Sequence, residues 1–304
     1  MVTSHIKNKK ILVVSGGWSS ERRVSLKSGK NVFKSLRKQK FNVFFFDLKK
    51  NNLHKIIKLK PYLIFNALHG EFGEDGGLSC FANKHKIRIT HSNQISSILC
   101  MDKKLCKKYL SKFIKICTPK TYSSNNHLQF PLIIKPNYGG SSIGVKVIKD
   151  ITSFNKINKK LLKNYIIEEK ININKELTVT VIEDEEKIES LGVTEIIFNS
   201  KIYNYKSKYT KGFSKHIIPA NLNSKDYRYL MNISKTIFKI LGCKSIARID
   251  FIMRKNNSKN EFFFLEINTH PGLTDISLAP EQAKSRNISY GSLVKKIVNT
   301  AYEA

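Results

Sequence analysis

A chain of 304 residues with 41% hydrophobic and 25% charged positions can bury a sizeable core, so two or three domains are expected and disorder is excluded as the main state. Its 54 basic and 23 acidic side chains leave a formal charge of +31, yet the lysines are scattered along the whole length with no arginine-rich arm, which disfavours a dedicated nucleic-acid binder. No apolar run reaches the ~18 residues of a membrane helix, and the opening MVTSHIKNKK lacks the apolar centre of a secretory signal, so a cytoplasmic protein without membrane insertion is expected.

In chain order, Ile11-Leu12-Val13-Val14 running into Gly16-Gly17 reads as a buried parallel strand entering a turn. Residues 20–39 carry Val24, Leu26, Val32, Phe33 and Leu36 at roughly helical spacing. Strands are predicted at 42–46, 62–68 and 87–90, an alternation that predicts a parallel α/β layer. Residues 91–118 turn helical and lysine-rich until Thr118-Pro119 stops the pattern. A strand at 130–136 leads into the loop NYGGSSIG, followed by a strand at 145–149, a helix at 151–163 and a strand at 165–169. Strands at 177–183 and 187–197 precede a long irregular stretch, 198–222, of the kind functional loops occupy. Ser224 is predicted to cap a helix carrying Leu230, Ile233, Ile237 and Ile240 on one face and ended by Gly242. Strands at 245–254 and 261–268 are joined by a polar turn, 255–260, and lead into NTHPGLT. The five cysteines include no CxxC pair and are odd in number, so reduced, mostly buried thiols are expected.

The loop Gly139-Gly140-Ser141-Ser142-Ile143-Gly144 sits between two predicted strands, where glycines permit close backbone approach and N–H and hydroxyl groups can cradle phosphate. It is neither a P-loop nor a dinucleotide fingerprint, and an ordinary hairpin loop accounts for it about as well. Lys135, four residues before Gly139 at a strand end, adds a cation for an anion to meet. Asp250, Glu266 and Asn268 form a second set. A period of two puts Glu266 and Asn268 on one face, and Asp250 joins them if the strands are hairpin neighbours. All-oxygen ligands suit Mg²⁺ held together with substrate phosphates; a surface ion pair with Arg248 or a lysine is the competing reading. His69 follows an apolar strand at a βα junction, and with Gly70 and the GEDG turn after it a substrate-side role is expected. The remaining histidines show no metal-ligand spacing, and GGSSIG is not the elbow that would make Ser141 a hydrolase nucleophile.

Jointly, GGWSSERRVSLKSG (16–29), ALHGEFGEDG (67–76), MDK (101–103), KPNYGGSSIGV (135–145), ELTV (176–179), YNYKSKY (203–209), ARID (247–250) and EINTHPGLTDISL (266–278) resemble the D-alanine–D-alanine ligases in order and spacing, over nearly the entire chain. The resemblance implies an N-terminal parallel α/β substrate-binding domain (1–95) followed by a two-part ATP-grasp fold of α+β units, central (96–172) and C-terminal (173–304), with a covering loop at about 198–222. It implies ATP-dependent ligation of two D-alanines through an acyl phosphate, for peptidoglycan precursors. ATP and D-alanine are then the partners, with two Mg²⁺ ions, or Mn²⁺ in their place; a homodimer is compatible with it.

Residue by residue, the resemblance puts Lys103 and Lys135 on the ATP phosphates, and Ser141 and Ser142 on the loop closing over them. Glu169, Lys170 and Asn172 take the hinge strand at adenine, with Glu176 on ribose; EEKININKE leaves the register open between Glu168 and Glu169, and seven residues from Glu169 to Glu176 favour the latter. Asp250, Glu266 and Asn268 hold the metal ions, and Arg248 stabilises the tetrahedral oxyanion. Glu21 binds the ammonium of the first D-alanine, while Ser277 and Leu278 meet the carboxylate of the second. Lys208 and Tyr209 lie on the covering loop, and Glu21, Ser141 and Tyr209 are expected to meet as a hydrogen-bonded latch. His270 departs from the family, which more often has a small or apolar residue there. Two alternatives stand beside this reading. One is a related ligase with D-lactate or D-serine as second substrate, which Tyr209 disfavours by resemblance. The other is a non-catalytic basic nucleic-acid binder, which the intact metal and phosphate residues disfavour.

Overall fold

The structure is a computed structural model and describes residues 6–123, 128–140, 142–184, 187–198, 214–257 and 259–301. The first apolar run forms β1 (Ile11–Gly16), which pairs in parallel with β2 (Val43–Leu48) on one side and β3 (Leu63–Asn66) on the other; β3 in turn pairs in parallel with β4 (Arg88–Ile89). The order β2-β1-β3-β4 is the parallel layer that the alternation of elements predicts. Successive side chains point to opposite faces, so β1 serves two cores. Ile11 and Val13 join Leu63 and Phe65 under Val32 and Leu36 of the helix Arg22–Lys38. Leu12 and Val14 join Ile64 beneath Ile56, Leu78 and Ala82 on the other face.

The remaining strands form two antiparallel sheets. β5 (Thr121–Tyr122), β8 (Tyr165–Glu169), β6 (Leu132–Pro136) and β7 (Lys146–Ile148) make one, in the order β5-β8-β6-β7. β9 (Lys175–Asp184), β10 (Lys187–Phe198), β11 (Ser214–Ile217), β12 (Ile246–Asn256) and β13 (Lys259–Asn268) make the other, in the order β11-β10-β9-β12-β13. Leu177, Val179, Ala247, Ile249 and Phe251 bury one face of the larger sheet against Leu230, Ile237 and Phe238 of the helix Ser224–Ile240. The three sheets fall within residues 11–89, 121–169 and 175–268, but the first core is completed from far along the chain: Leu273, Ala283, Leu293, Val294 and Ile297 pack on the N-terminal layer.

Several local expectations are corrected. Residues 91–118 do not form one helical stretch but two helices, Gln94–Met101 and Lys103–Leu110, because the Asp102 carboxylate accepts the Leu105 N–H and starts the second afresh. Asn223, not Ser224, caps the helix Ser224–Ile240, since its side chain accepts the Asp226 N–H. The helix at 151–163 is two short pieces, Ile151–Asn155 and Lys159–Leu162. Within 198–222, β11 pairs antiparallel with β10. Helices Gly77–Lys84, Leu278–Ser285 and Tyr290–Asn299 occupy segments for which no element is predicted from the sequence. The five cysteines are free, with Cys100, Cys106 and Cys243 buried and Cys80 and Cys117 exposed. Among the described residues, no helix is long and apolar enough to cross a membrane.

Candidate active site

A cleft of about 800 Å³ is lined by both antiparallel sheets and by the first βα turn of the parallel layer. Period-two alternation builds its floor. Leu132, Ile134 and Ile167 point into the core of the smaller sheet, so Ile133, Lys135 and Glu168 face the cleft. Helical spacing adds two more cations. Lys103 and Lys107 stand four residues apart on the helix Lys103–Leu110, and both are buried.

These groups meet as one charged cluster. The Lys135 ammonium lies 2.8 Å from Glu168 Oε2, and Lys107 donates to Glu168 Oε1. Burial works against the Glu168 charge, yet Lys135 and Lys107 hold its carboxyl below the usual range. Burial, then the neighbouring Lys135, lowers the Lys107 pKa to about 8 against the pull of Glu168. Lys103 donates to the Gly139 carbonyl at 2.6 Å and lies 3.4 Å from Glu266 Oε2. The glycine-rich loop is thereby tied to the start of that helix, where the Asn137 Oδ1 also accepts the Lys104 N–H and the Tyr138 hydroxyl donates to Asp102 at 2.7 Å. Gly139 adopts φ +97°, and a Cβ built on Gly139 or Gly140 would meet no atom within 4 Å. The loop therefore leaves open space over its glycines, as a phosphate cradle requires and a packed hairpin does not.

The carboxylate set faces the same cleft. β12 and β13 are antiparallel neighbours with Asp250 opposite Glu266 and Arg248 opposite Asn268, which meets the hairpin condition. A β-bulge at this point decides the face. Phe262 and Phe264 point into the core, and strict alternation would send Glu266 and Asn268 after them; beyond the bulge it is Ile267 that is buried and Glu266 that borders the cleft. Arg248 forks onto Asp250 with two 2.9 Å bonds, and the Thr178 hydroxyl donates to Asp250 Oδ1 at 2.6 Å. The competing ion pair with Arg248 thus exists, but inside the cleft. Asn268 Oδ1 accepts the His270 N–H, and Asn268 borders a recess of about 40 Å³ that it shares with Glu21, Lys103, Arg248 and Glu266.

The other expected residues divide into those at the cleft and those behind it. Glu21, Ser142, Glu169, Lys170, Asn172, Glu176 and Leu278 all line it. Glu169 and Glu168 differ in direction: Glu169 Oε1 accepts the Lys120 N–H at the sheet edge, while Glu168 is turned onto the lysines. Gly70 at φ +71° brings the third βα turn, which follows β3, against the first, its would-be Cβ 3.3 Å from Glu21 Oε2. His69 does not line the cleft; it is buried between Ser28 (3.1 Å) and Glu74 (3.3 Å), and Ser28 also accepts the Leu273 N–H. Ser277 is likewise behind the wall, its hydroxyl 2.7 Å from that of Thr274. Ser141, Lys208 and Tyr209, and with them the latch, lie outside the described residues. Lys107 and Thr178 escape the sequence reading, and Glu168 enters it only as the alternative to Glu169 at adenine, not as the partner of two lysines; the i, i+4 spacing from Lys103 is the available signal for the first.

The family described as D-ala D-ala ligase C-terminus matches residues 112–299. A D-alanine–D-alanine ligase from Pelagibacter ubique is 40% identical over 96% of this chain and 98% of its own length. The chain belongs to the D-alanine–D-alanine ligase family. A ligase of this name from Thermotoga maritima is 36% identical over 96% of the chain and 97% of its own. Among solved structures, the Bacillus anthracis D-alanine–D-alanine ligase complexed with ATP superposes with a TM-score of 0.78 at 28% identity, covering 96% of both chains. The VanG D-Ala:D-Ser ligase of Enterococcus faecalis also reaches 0.78 at 28% identity, covering 96% of this chain and 99% of its own. The family fold is the expected one, a parallel α/β layer followed by the two-part ATP-grasp unit.

Proposed function

We propose that this ligase joins two D-alanines to D-alanyl-D-alanine at the expense of ATP, as a cytoplasmic step toward peptidoglycan precursors. One observation carries the reading: a single cleft brings together the lysine floor, the open glycine loop, the hinge residues, the Asp250/Glu266 pair and Glu21. The carboxylate of the first D-alanine attacks the γ-phosphate, giving an acyl phosphate and ADP. The amine of the second D-alanine then attacks the acyl carbon, and phosphate leaves.

Each residue has a definite task in this scheme. Lys103 and Lys135 neutralise phosphate oxygens, Glu169, Lys170 and Asn172 border adenine, and Glu176 takes the ribose. Ser142 and Ser141 close the glycine loop over the triphosphate. Glu21 holds the first ammonium, and Leu278 seats the second carboxylate at the start of the helix Leu278–Ser285, with Ser277 bonded to Thr274 behind it. Arg248 faces the oxyanion that forms when the amine adds. His69 acts through its bonds to Ser28 and Glu74, bracing the wall behind Glu21 rather than touching substrate. Lys208 and Tyr209 belong to the covering loop that keeps water from the acyl phosphate. Catalysis is mainly positioning and charge neutralisation.

The donor chemistry fits a divalent cation. Asp250 and Glu266 face each other across β12 and β13, and each carboxylate already rests against a side-chain cation, Arg248 or Lys103. Together with Asn268 they would hold Mg²⁺ or Mn²⁺, which supplies further neutralisation of the phosphates. The test is phosphate release from ATP and Mg²⁺ with D-alanine, compared with L-alanine, alongside D-lactate and D-serine as second substrates. D-alanine-dependent release with D-alanyl-D-alanine as product is expected. Equal turnover with L-alanine, or none with D-alanine, overturns the reading.

A further inference from the structure

The floor of the cleft holds a group for which the scheme above has no use. Glu168 is 2% exposed, and both its oxygens are taken, one by Lys107 and the other by Lys135. Lys107 is 7% exposed and Lys135 11%, so three charges share a nearly dry site. Two cations against one anion leave a single positive charge, which suits an approaching phosphate. The sharing also fixes which cation can leave. Lys107 comes from a helix, and its ammonium does not line the cleft, whereas Lys135 does. If Lys135 turned to a phosphate, Glu168 would keep Lys107 and no buried carboxylate would be stranded. The exchange would also relieve repulsion between the two ammoniums, which with burial lowers the Lys107 pKa to about 8.

We propose that Glu168 is a positioning residue that holds Lys135 in the nucleotide-free cleft and releases it to the nucleotide phosphate, with Lys107 keeping the carboxylate in place. The inference rests on the reading of Lys135 as a phosphate contact. Glu168 competes with phosphate for the same ammonium. It therefore restrains nucleotide affinity and speeds the departure of ADP.

Calorimetric titration of the full chain with the β,γ-imido analogue of ATP in Mg²⁺, beside adenosine as a phosphate-free control, tests this. Glu168→Gln keeps the shape and removes the competing charge, so the analogue should bind about tenfold tighter and adenosine unchanged. In turnover the same variant should lower KM for ATP and lower kcat together, as slow ADP release demands. Lys107→Met leaves Lys135 as the only cation on Glu168, so the analogue should bind about tenfold more weakly with adenosine again unchanged. A purely structural role would weaken both variants. Weaker analogue binding by Glu168→Gln, shifts of the same sign in the two variants, or an equal shift for adenosine overturns the proposal. Should Glu168→Gln fail to fold, Lys107→Met decides alone, and unchanged or tighter analogue binding overturns it. Lys135→Met separates the two readings. Unchanged analogue affinity there defeats the phosphate contact itself, whereas a loss there without tightening in Glu168→Gln defeats only the role of Glu168.

Discussion

Gly140→Ala separates what the protein needs at the glycine loop from what the nucleotide needs. An ideal Cβ at Gly140 meets no atom within 4 Å, and its backbone, unlike that of Gly139 at φ +97°, does not occupy the left-handed region. The methyl group therefore costs the fold little, and narrowing the unfolded ensemble adds about 0.4–1 kcal/mol of stability. A triphosphate lying against the loop is affected differently. The methyl occupies the space through which a phosphate oxygen approaches the backbone N–H groups, and a hydrogen bond to a charged group is worth about 1.5–3 kcal/mol. Losing one such bond raises Kd for ATP roughly tenfold to a hundredfold. Urea unfolding of the nucleotide-free protein and calorimetric titration with Mg·ATP measure the two effects separately. An ATP affinity within about twofold of the parent, with the fold intact, would show that phosphate does not lie over Gly140. A stability loss above about 2 kcal/mol would contradict the open space above the loop.

Glu266→Gln should remove most Mg²⁺-supported turnover while leaving the melting temperature near that of the parent, because Glu266 faces the cleft and not the core; parental rates at limiting Mg²⁺ would exclude it as a ligand. His91 is buried, and burial followed by the nearby His69 lowers its pKa to about 3, with His270 shifted the same way. Below about pH 6.5 the unfolded chain takes up a proton on His91 that the native state refuses, so stability is complete above that pH and falls toward pH 3, by about 2 kcal/mol at pH 5. His91→Asn, which tolerates the observed φ of +72°, should flatten that slope in urea unfolding at pH 7 and pH 5; an equal loss in both proteins would refute the assignment. The charge of +31 should give weak, non-specific DNA binding that disappears at moderate salt, and tight sequence-selective binding at about 200 mM salt in a mobility-shift assay would contradict the dispersed arrangement of lysines.

Much of the molecule is determined by local pattern alone. The run Ile11-Leu12-Val13-Val14 is apolar at every position because β1 is buried on both faces, and that is legible without a partner in view. The strand Tyr165–Glu169 and the helix Ser224–Ile240 follow from their apolar patterns, with the helix cap one residue earlier than the pattern suggests. Motif order across 16–278 carries the family, and most of the cleft residues come with it. Chain-distant pairings were not legible in this way. Periodicity puts Glu266 and Asn268 on one face, but only the bulge opposite Asp250 turns that face from the core to the cleft, because one extra residue reverses the alternation of every residue beyond it. Lys107 and Glu168 are 61 positions apart, and nothing in either segment announces the other. His69 reads as a substrate-side group at a βα junction until the Leu273 N–H, bonded to Ser28, brings the C-terminal segment over it. Burial and ion pairing depend on which surfaces meet in space, and a one-dimensional pattern carries the shape of each surface without its partner.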